Sequence, residues 1–255
     1  MLQVQHLTKT YSSVPAVEDV SFTIRPGEVL GYLGPNGSGK STTVKIITGL
    51  LEPTRGLVLF NGTRISQDLA RYKGLLGYVP EEANLYPFLS GLEYLELTGR
   101  LRGKPERLIA RRADELLSLF SLHPHRHVLM SAYSKGMRQR ILLIAAIMHN
   151  PELLIFDEPL SGLDVTSALI FRRLVAALSQ QGKTIFYCSH VLEVVEKVCS
   201  HVTILHKGKQ LAYGTVDELR QFQSLPTLEA AFSSLVQEVD AGQSAQAIVE
   251  VIGRS

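Results

Sequence analysis

Residues Gly34 to Thr42 read GPNGSGKST, and they constrain the fold of this chain more than any other stretch. The segment matches G-x-x-x-x-G-K-[ST], in which glycine-permissive turns aim successive N–H groups at phosphate oxygens. The lysine adds a mobile positive charge, and the following hydroxyl can ligate magnesium. Glu28 to Leu33 form an apolar run entering this loop, and Val44, Ile46, Ile47 and Leu50 recur behind it at helical spacing. A strand, a glycine-rich loop and a helix starting near Gly39 are therefore predicted, with Leu50 turned toward the core. That order sets phosphate at a helix N-terminus, where free N–H groups and the helix dipole favour anions.

A second segment, LLIFDEPLSGLD from Leu153 to Asp164, is a short apolar run ending in two carboxylates. It suits a buried strand that delivers Asp157 to a metal and Glu158 to an attacking water. What the first segment holds, the second is placed to hydrolyse.

Composition excludes several other classes. With 255 residues, 45% of them hydrophobic, the chain can bury a substantial core. The 26 basic and 24 acidic residues leave a net charge of +2, too small to imply nucleic acid, an acidic substrate or a lipid surface. Cys188 and Cys199 form neither a C-x-x-C pair nor an even framework, which points to a reducing compartment, and the cytoplasm is expected. The opening MLQVQHLTKTYS lacks the regions of a signal peptide, and the longest apolar run, Ile141 to Met148, is short of a membrane-spanning helix.

The chain begins in β grammar: LQVQHL and DVSFTI alternate apolar and polar positions, and Asn61-Gly62 reads as a two-residue hairpin turn. After GYVPE the pattern becomes helical. Ser90 and Glu93 make a capping box, Pro105 suits the first turn of a second helix, and a third follows Ser134. Residues 82–150 are thus expected as a helical insertion that splits the core into 1–81 and 151–215. Strands at Leu153 to Asp157 and Thr184 to Ser189, alternating with helices at Thr166 to Gln180 and near Val191, predict a parallel sheet flanked by helices. Residues 216–255 read as a helical tail with Leu228, Phe232, Leu235 and Val236 on one face.

A phosphate loop alone admits kinases, GTPases and many ATPases. YSKGMRQR, Tyr133 to Arg140, narrows the choice, because with it the chain resembles the ABC ATPases, whose signature usually reads LSGGQ. Ser134 and Gly136 match, while Tyr133, Lys135 and Met137 depart; YSKGM looks like the LSKGM variant of the drug, antibiotic and polysaccharide exporter branch. The resemblance spans roughly the first 215 residues. It implies an α/β P-loop NTPase fold with a RecA-like parallel-sheet core, an N-terminal antiparallel β subdomain and an inserted α-helical subdomain.

The same resemblance implies ATP and Mg2+ as ligands and two cassettes, alike or different, packed head to tail. Each ATP then lies between one cassette's phosphate loop and the other's Ser134 and Gly136. Ser189-His190 resembles the switch histidine, SGLD with Asp164 the loop that meets the opposite cassette, and Tyr11 the aromatic that stacks on adenine. Glu81 stands where the family usually has glutamine; its carboxylate can bind magnesium or its water but loses the amide donor. The expected assignments are Lys40, Glu158 and His190 for catalysis, and Ser41, Asp157 and Glu81 for the metal.

Leu85, Tyr86, Phe88 and Leu89, next to Glu81, read as a groove for a short helix of an integral membrane permease. His123, His125 and His127 lack supporting ligands and read as a solvated connector rather than a metal site. The sequence thus predicts the ATP-hydrolysing subunit of a membrane exporter, peripheral on the inner face of the cell membrane, with no nucleic-acid partner. The alternative is a soluble ABC ATPase acting on nucleic acid or ribosomes, against which stand a single cassette and the absence of a basic stripe.

Overall fold

The computed structural model describes residues 1–222 apart from Asn84. Its first half runs β1 (Leu2–Tyr11), β2 (Val14–Ile24), β3 (Val29–Leu33), α1 (Lys40–Ile47), β4 (Arg55–Phe60), β5 (Thr63–Arg64), α2 (Leu69–Leu75) and β6 (Leu76–Val79). Three helices follow, α3 (Gly91–Leu101), α4 (Glu106–Leu119) and α5 (Lys135–Ile147), with two short 3-10 turns between the last pair. The chain then returns to β7 (Leu153–Asp157), α6 (Val165–Gln180), β8 (Thr184–Cys188), α7 (Leu192–Val198), β9 (His201–His206), β10 (Lys209–Thr215) and α8 (Val216–Phe222).

The strands form one sheet in the order β5-β4-β1-β2-β10-β9-β3-β8-β7-β6. From β9 to β6 every neighbouring pair is parallel, whereas β1, β2, β4 and β5 pair antiparallel. A single parallel pairing, Lys209 opposite Glu18, joins the two regions. The parallel strands are apolar at most positions because both faces are covered, with Asp157, Thr184 and Thr203 among the exceptions. In β7, Leu153 and Ile155 face the side covered by β1, β2 and α1, and Leu154 and Phe156 face α5, α6 and α7. Phe22, Tyr32 and Phe186 fill the first layer with ring centroids 4.9 to 5.9 Å apart. Phe156 meets Phe171 edge-on at 5.0 Å in the second.

A third cluster, built from Leu95, Ile109, Ala113, Leu117, Ile141 and Ile144, joins α3, α4 and α5. In α4, Ile109, Ala113 and Leu117 recur every four residues and form its core face. Ser90 and Glu93 close the capping box at the start of α3, and Ser134 caps α5. Pro105 lies one position earlier than expected, as the N-cap of α4.

Three expectations need correction. Leu50 is 61% exposed, because α1 ends at Ile47 and left-handed Gly49 turns the chain outward. The helix α2, capped by Asp68, was not expected from the sequence; it is only 7 residues long, with Leu69, Tyr72 and Leu75 set against the core. The hairpin of β9 and β10 was also missed, although Lys207 and Gly208 take positive φ at its turn. The stripe of Leu228, Phe232, Leu235 and Val236 lies outside the described residues.

His149, just past the end of α5, ties the helices to the sheet. It is 3% exposed, with Nε2 lying 2.9 Å from Arg102 Nη1. Nε2 also lies 3.1 Å from Leu76 O, and a protonated ring beside the Arg102 guanidinium would set two like charges together. Burial first, then the charges of Arg102 and Lys104, lower its pKa from 6.5 to about 4. Between those values the unfolded chain binds more protons, so stability rises with pH through this window and falls as the solution is acidified. Going from pH 7 to pH 5 should cost about 2 kcal/mol through this one group. Urea midpoints of the wild type and His149→Gln, measured at both pH values, should differ in their acid loss by that amount.

Candidate active site

Four adjacent parallel strands end at one edge of the sheet, and each delivers part of one cleft. From β3 the chain enters the loop Gly34 to Gly39, from β7 come Asp157 and Glu158, from β8 Ser189 and His190, and from β6 Glu81. A crevice beyond the carboxyl ends of parallel strands is where open α/β sheets bind ligands. Here it has a volume of about 310 Å³, lined on one side by Asn36, Gly37, Gly39, Lys40, Ser41 and Thr42. On the other side are Glu81, Asp157, Glu158 and His190, with Ala16 at the margin. Gly39 holds φ at 104°, a conformation open to glycine alone at little cost, and this sets the first turn of α1 against the loop. Lys40 lies across the loop, its Nζ donating to the carbonyls of Gly34 at 2.6 Å and Pro35 at 3.0 Å.

Asp157 is 5% exposed, and burial, with Glu81 and Glu158 nearby, pushes its carboxyl up to about 6 against the pull of Lys40. Three carboxylates thus surround an aperture with one lysine to balance them. Hard oxygen donors, Ser41 Oγ and Asp157, suit magnesium, which binds through one or two carboxylates plus substrate phosphates. Among the described residues no group of three or more His, Cys, Asp or Glu side chains is arranged to hold a metal ion.

Glu158 takes φ of 47°, a left-handed backbone that costs energy and persists where neighbours fix it. Its N–H donates to Cys188 O at 3.0 Å, and its carboxylate accepts from His190 N at 2.8 Å and Ser189 Oγ at 3.2 Å. His190 Nδ1 also lies 2.7 Å from Oε1 of Glu158, an approach that requires the proton on Nδ1 and leaves Nε2 facing outward. The imidazole is 68% exposed, the carboxylate 13%.

The remaining residues singled out from the sequence fall elsewhere. Gly34 and Pro35 contribute carbonyls to Lys40, and Ser38 is buried with its N–H on Pro35 O. Tyr11 is not in the cleft lining; it sits at the tip of the β1–β2 hairpin, 47% exposed, with Lys9 Nζ 5.5 Å from its ring centroid. Ser134 is exposed at the start of α5, where its hydroxyl accepts from Met137 N at 3.2 Å. Gly136 abuts the Gly162 carbonyl, which a Cβ would approach to 2.7 Å. Asp164 caps α6, accepting from Ser167 N at 2.8 Å, and these hydrogen bonds hold its carboxyl below the usual range. Neither Ser134, Gly136 nor Asp164 lines the cleft of its own chain. His123 bonds Asp114 on the surface.

Two residues were missed from the sequence. Ala16 reaches the cleft margin by tertiary placement alone. Gln139 is 2% exposed, and its Nε2 donates to Pro159 O at 3.0 Å, tying α5 to the turn that follows Glu158. Its signal was a polar side chain on the face of α5 that otherwise carries Leu142 and Leu143.

A phosphate loop between β3 and α1, facing carboxylates at the ends of neighbouring strands, defines a P-loop nucleoside triphosphatase. The family profile described as ABC transporter matches residues 17–161, and the chain belongs to that family as an ATP-binding, ATP-hydrolysing subunit. It is 36% identical over 222 residues to the ABC transporter ATP-binding protein NatA of Bacillus subtilis (strain 168), covering 87% of this chain and 90% of that protein. It is 38% identical over 219 residues to the linearmycin resistance ATP-binding protein LnrL of the same organism, covering 86% and 70%. A solved structure of the ATP-binding subunit of an ABC transporter superposes with a TM-score of 0.88 at 34% identity, covering 92% of this chain and 99% of that one. The dimeric post-hydrolysis state of the ATP-binding cassette MJ0796, bound to ADP and Pi, superposes with a TM-score of 0.78 at 26% identity, covering 84% and 98%.

Proposed function

We propose that this subunit powers export by clamping ATP between its own cleft and the Ser134 end of α5 of a second cassette, alike or different. What carries this reading is the division of the predicted residues: Lys40, Ser41, Asp157, Glu158 and His190 share one cleft, while exposed Ser134 and Asp164 lie outside it. Ser134 suits a phosphate from a partner because it begins a helix and offers a hydroxyl beside free N–H groups. Lys40 exchanges its hold on Gly34 and Pro35 for the phosphates, and Tyr11 stacks on adenine. Ser41 and Asp157 would hold Mg2+, with Glu81 beside them, and the ion would supply positive charge to neutralise the phosphate chain. Glu158 takes the proton of the attacking water, and His190 orients its carboxylate through Nδ1–H.

No described helix is long and apolar enough to cross a membrane. By family membership the work is delivered to integral permease subunits, with this chain peripheral on the cytoplasmic face. Residues 82–150 serve as the subdomain that contacts the permease, 1–81 and 151–215 as the nucleotide core, and 216–255 as a tail. Export draws on the YSKGM resemblance and on LnrL, which is described as a resistance protein.

The test is magnesium-dependent ATPase activity of the purified chain against protein concentration. Specific activity should rise with concentration, as a shared site demands, and Ser134→Ala should abolish that rise. Activity independent of concentration and of Ser134 would contradict the shared site.

A further inference from the structure

Tyr86 and Phe88 stand out from the surface just before α3, 62% and 85% exposed. Behind them the backbone is stitched to the stretch that leads into Ser134. Ser131 N donates to Pro87 O at 3.1 Å, Met130 N to Leu89 O at 2.9 Å, and Leu92 N to Arg126 O at 3.0 Å. Tyr133, the residue before Ser134, makes the last connection. It is 3% exposed, its hydroxyl donates to His125 O at 2.7 Å, and Gly91 at the start of α3 lies against the same hydroxyl. Gly91 is matched to the contact, since a Cβ there would come within 2.6 Å of the Tyr133 hydroxyl.

We infer that the Tyr133 hydroxyl is a positioning group, locking the Tyr86 and Phe88 tip, the start of α3 and Ser134 into one body. A load taken up at the tip then displaces Ser134 with it, and Ser134 is held at the height where α5 meets the partner's nucleotide. A leucine in this place, the family's more usual residue, fills the space but has no hydroxyl to donate to His125 O. The inference rests on the reading of Ser134 as a contact to the opposite cassette's ATP.

Tyr133→Phe removes one oxygen, keeps the ring packing and breaks the link to His125 O, which still accepts from Val128 N. Gly91→Ala strains the same contact from the other side. Both are compared with Ser134→Ala in a Glu158→Gln background, where hydrolysis does not consume the ATP. For each variant, ATP affinity of the monomer and the protein concentration at half-dimerisation with ATP are measured. Tyr133→Phe and Gly91→Ala should raise that concentration about tenfold while leaving monomer ATP affinity unchanged, because the phosphate loop is not touched. If Tyr133→Phe dimerises like its parent while Ser134→Ala is weakened, the positioning role is overturned. Loss of monomer ATP affinity alongside dimerisation would also overturn it, as that is a general loss of structure. If Ser134→Ala itself dimerises normally, the underlying reading of Ser134 fails instead.

Discussion

Glu158→Gln is expected to lower ATP turnover by about 10²- to 10⁴-fold, the usual contribution of a positioned base, while ATP binding persists. The amide keeps the size of the side chain; its oxygen can still accept from His190 N, and its NH2 can donate to Ser189 Oγ in place of the bond that the carboxylate accepts now. The left-handed backbone at 158 is fixed by Cys188 O and by Gln139 on Pro159 O, neither of which the substitution touches. Only the capacity to take a proton is lost. Single-turnover hydrolysis and equilibrium ATP binding, measured on the same preparation, separate the two quantities. Turnover within a few-fold of wild type would remove Glu158 from the chemistry.

Lys40→Ala should act on the other quantity. Its Nζ spans the carbonyls of Gly34 and Pro35, so it is poised over the loop that faces the phosphates. A charge-assisted hydrogen bond contributes about 1.5–3 kcal/mol, so ATP affinity should fall on the order of ten- to a hundredfold. The loss should be in capture, measurable by calorimetric titration with magnesium present, and it should persist in the Glu158→Gln background. An unchanged dissociation constant would mean that the lysine's role is confined to bracing the empty loop.

What could be read from the sequence was what is local. The loop from Gly34 to Thr42, the buried run ending in Asp157, the Ser90 capping box and the Asn61-Gly62 turn each carry their cause within a few residues. What could not be read depends on distant partners. The sheet closes by one pairing of Lys209 with Glu18, and β10 earns its place through strands far away in the chain. Tyr11 illustrates the same limit, since its local sequence does not show that hairpin pairing carries the ring to a tip beside Lys9. Gln139 was hidden because a polar residue inside a helix gives no sign of the carbonyl it will meet.

The central claim is that two cassettes share each ATP, and sedimentation of Glu158→Gln with and without ATP tests it most directly. The account predicts monomers without nucleotide, dimers with ATP, and a return to monomers when Ser134→Ala is added. A Glu158→Gln protein that binds ATP yet remains monomeric at every concentration would contradict it.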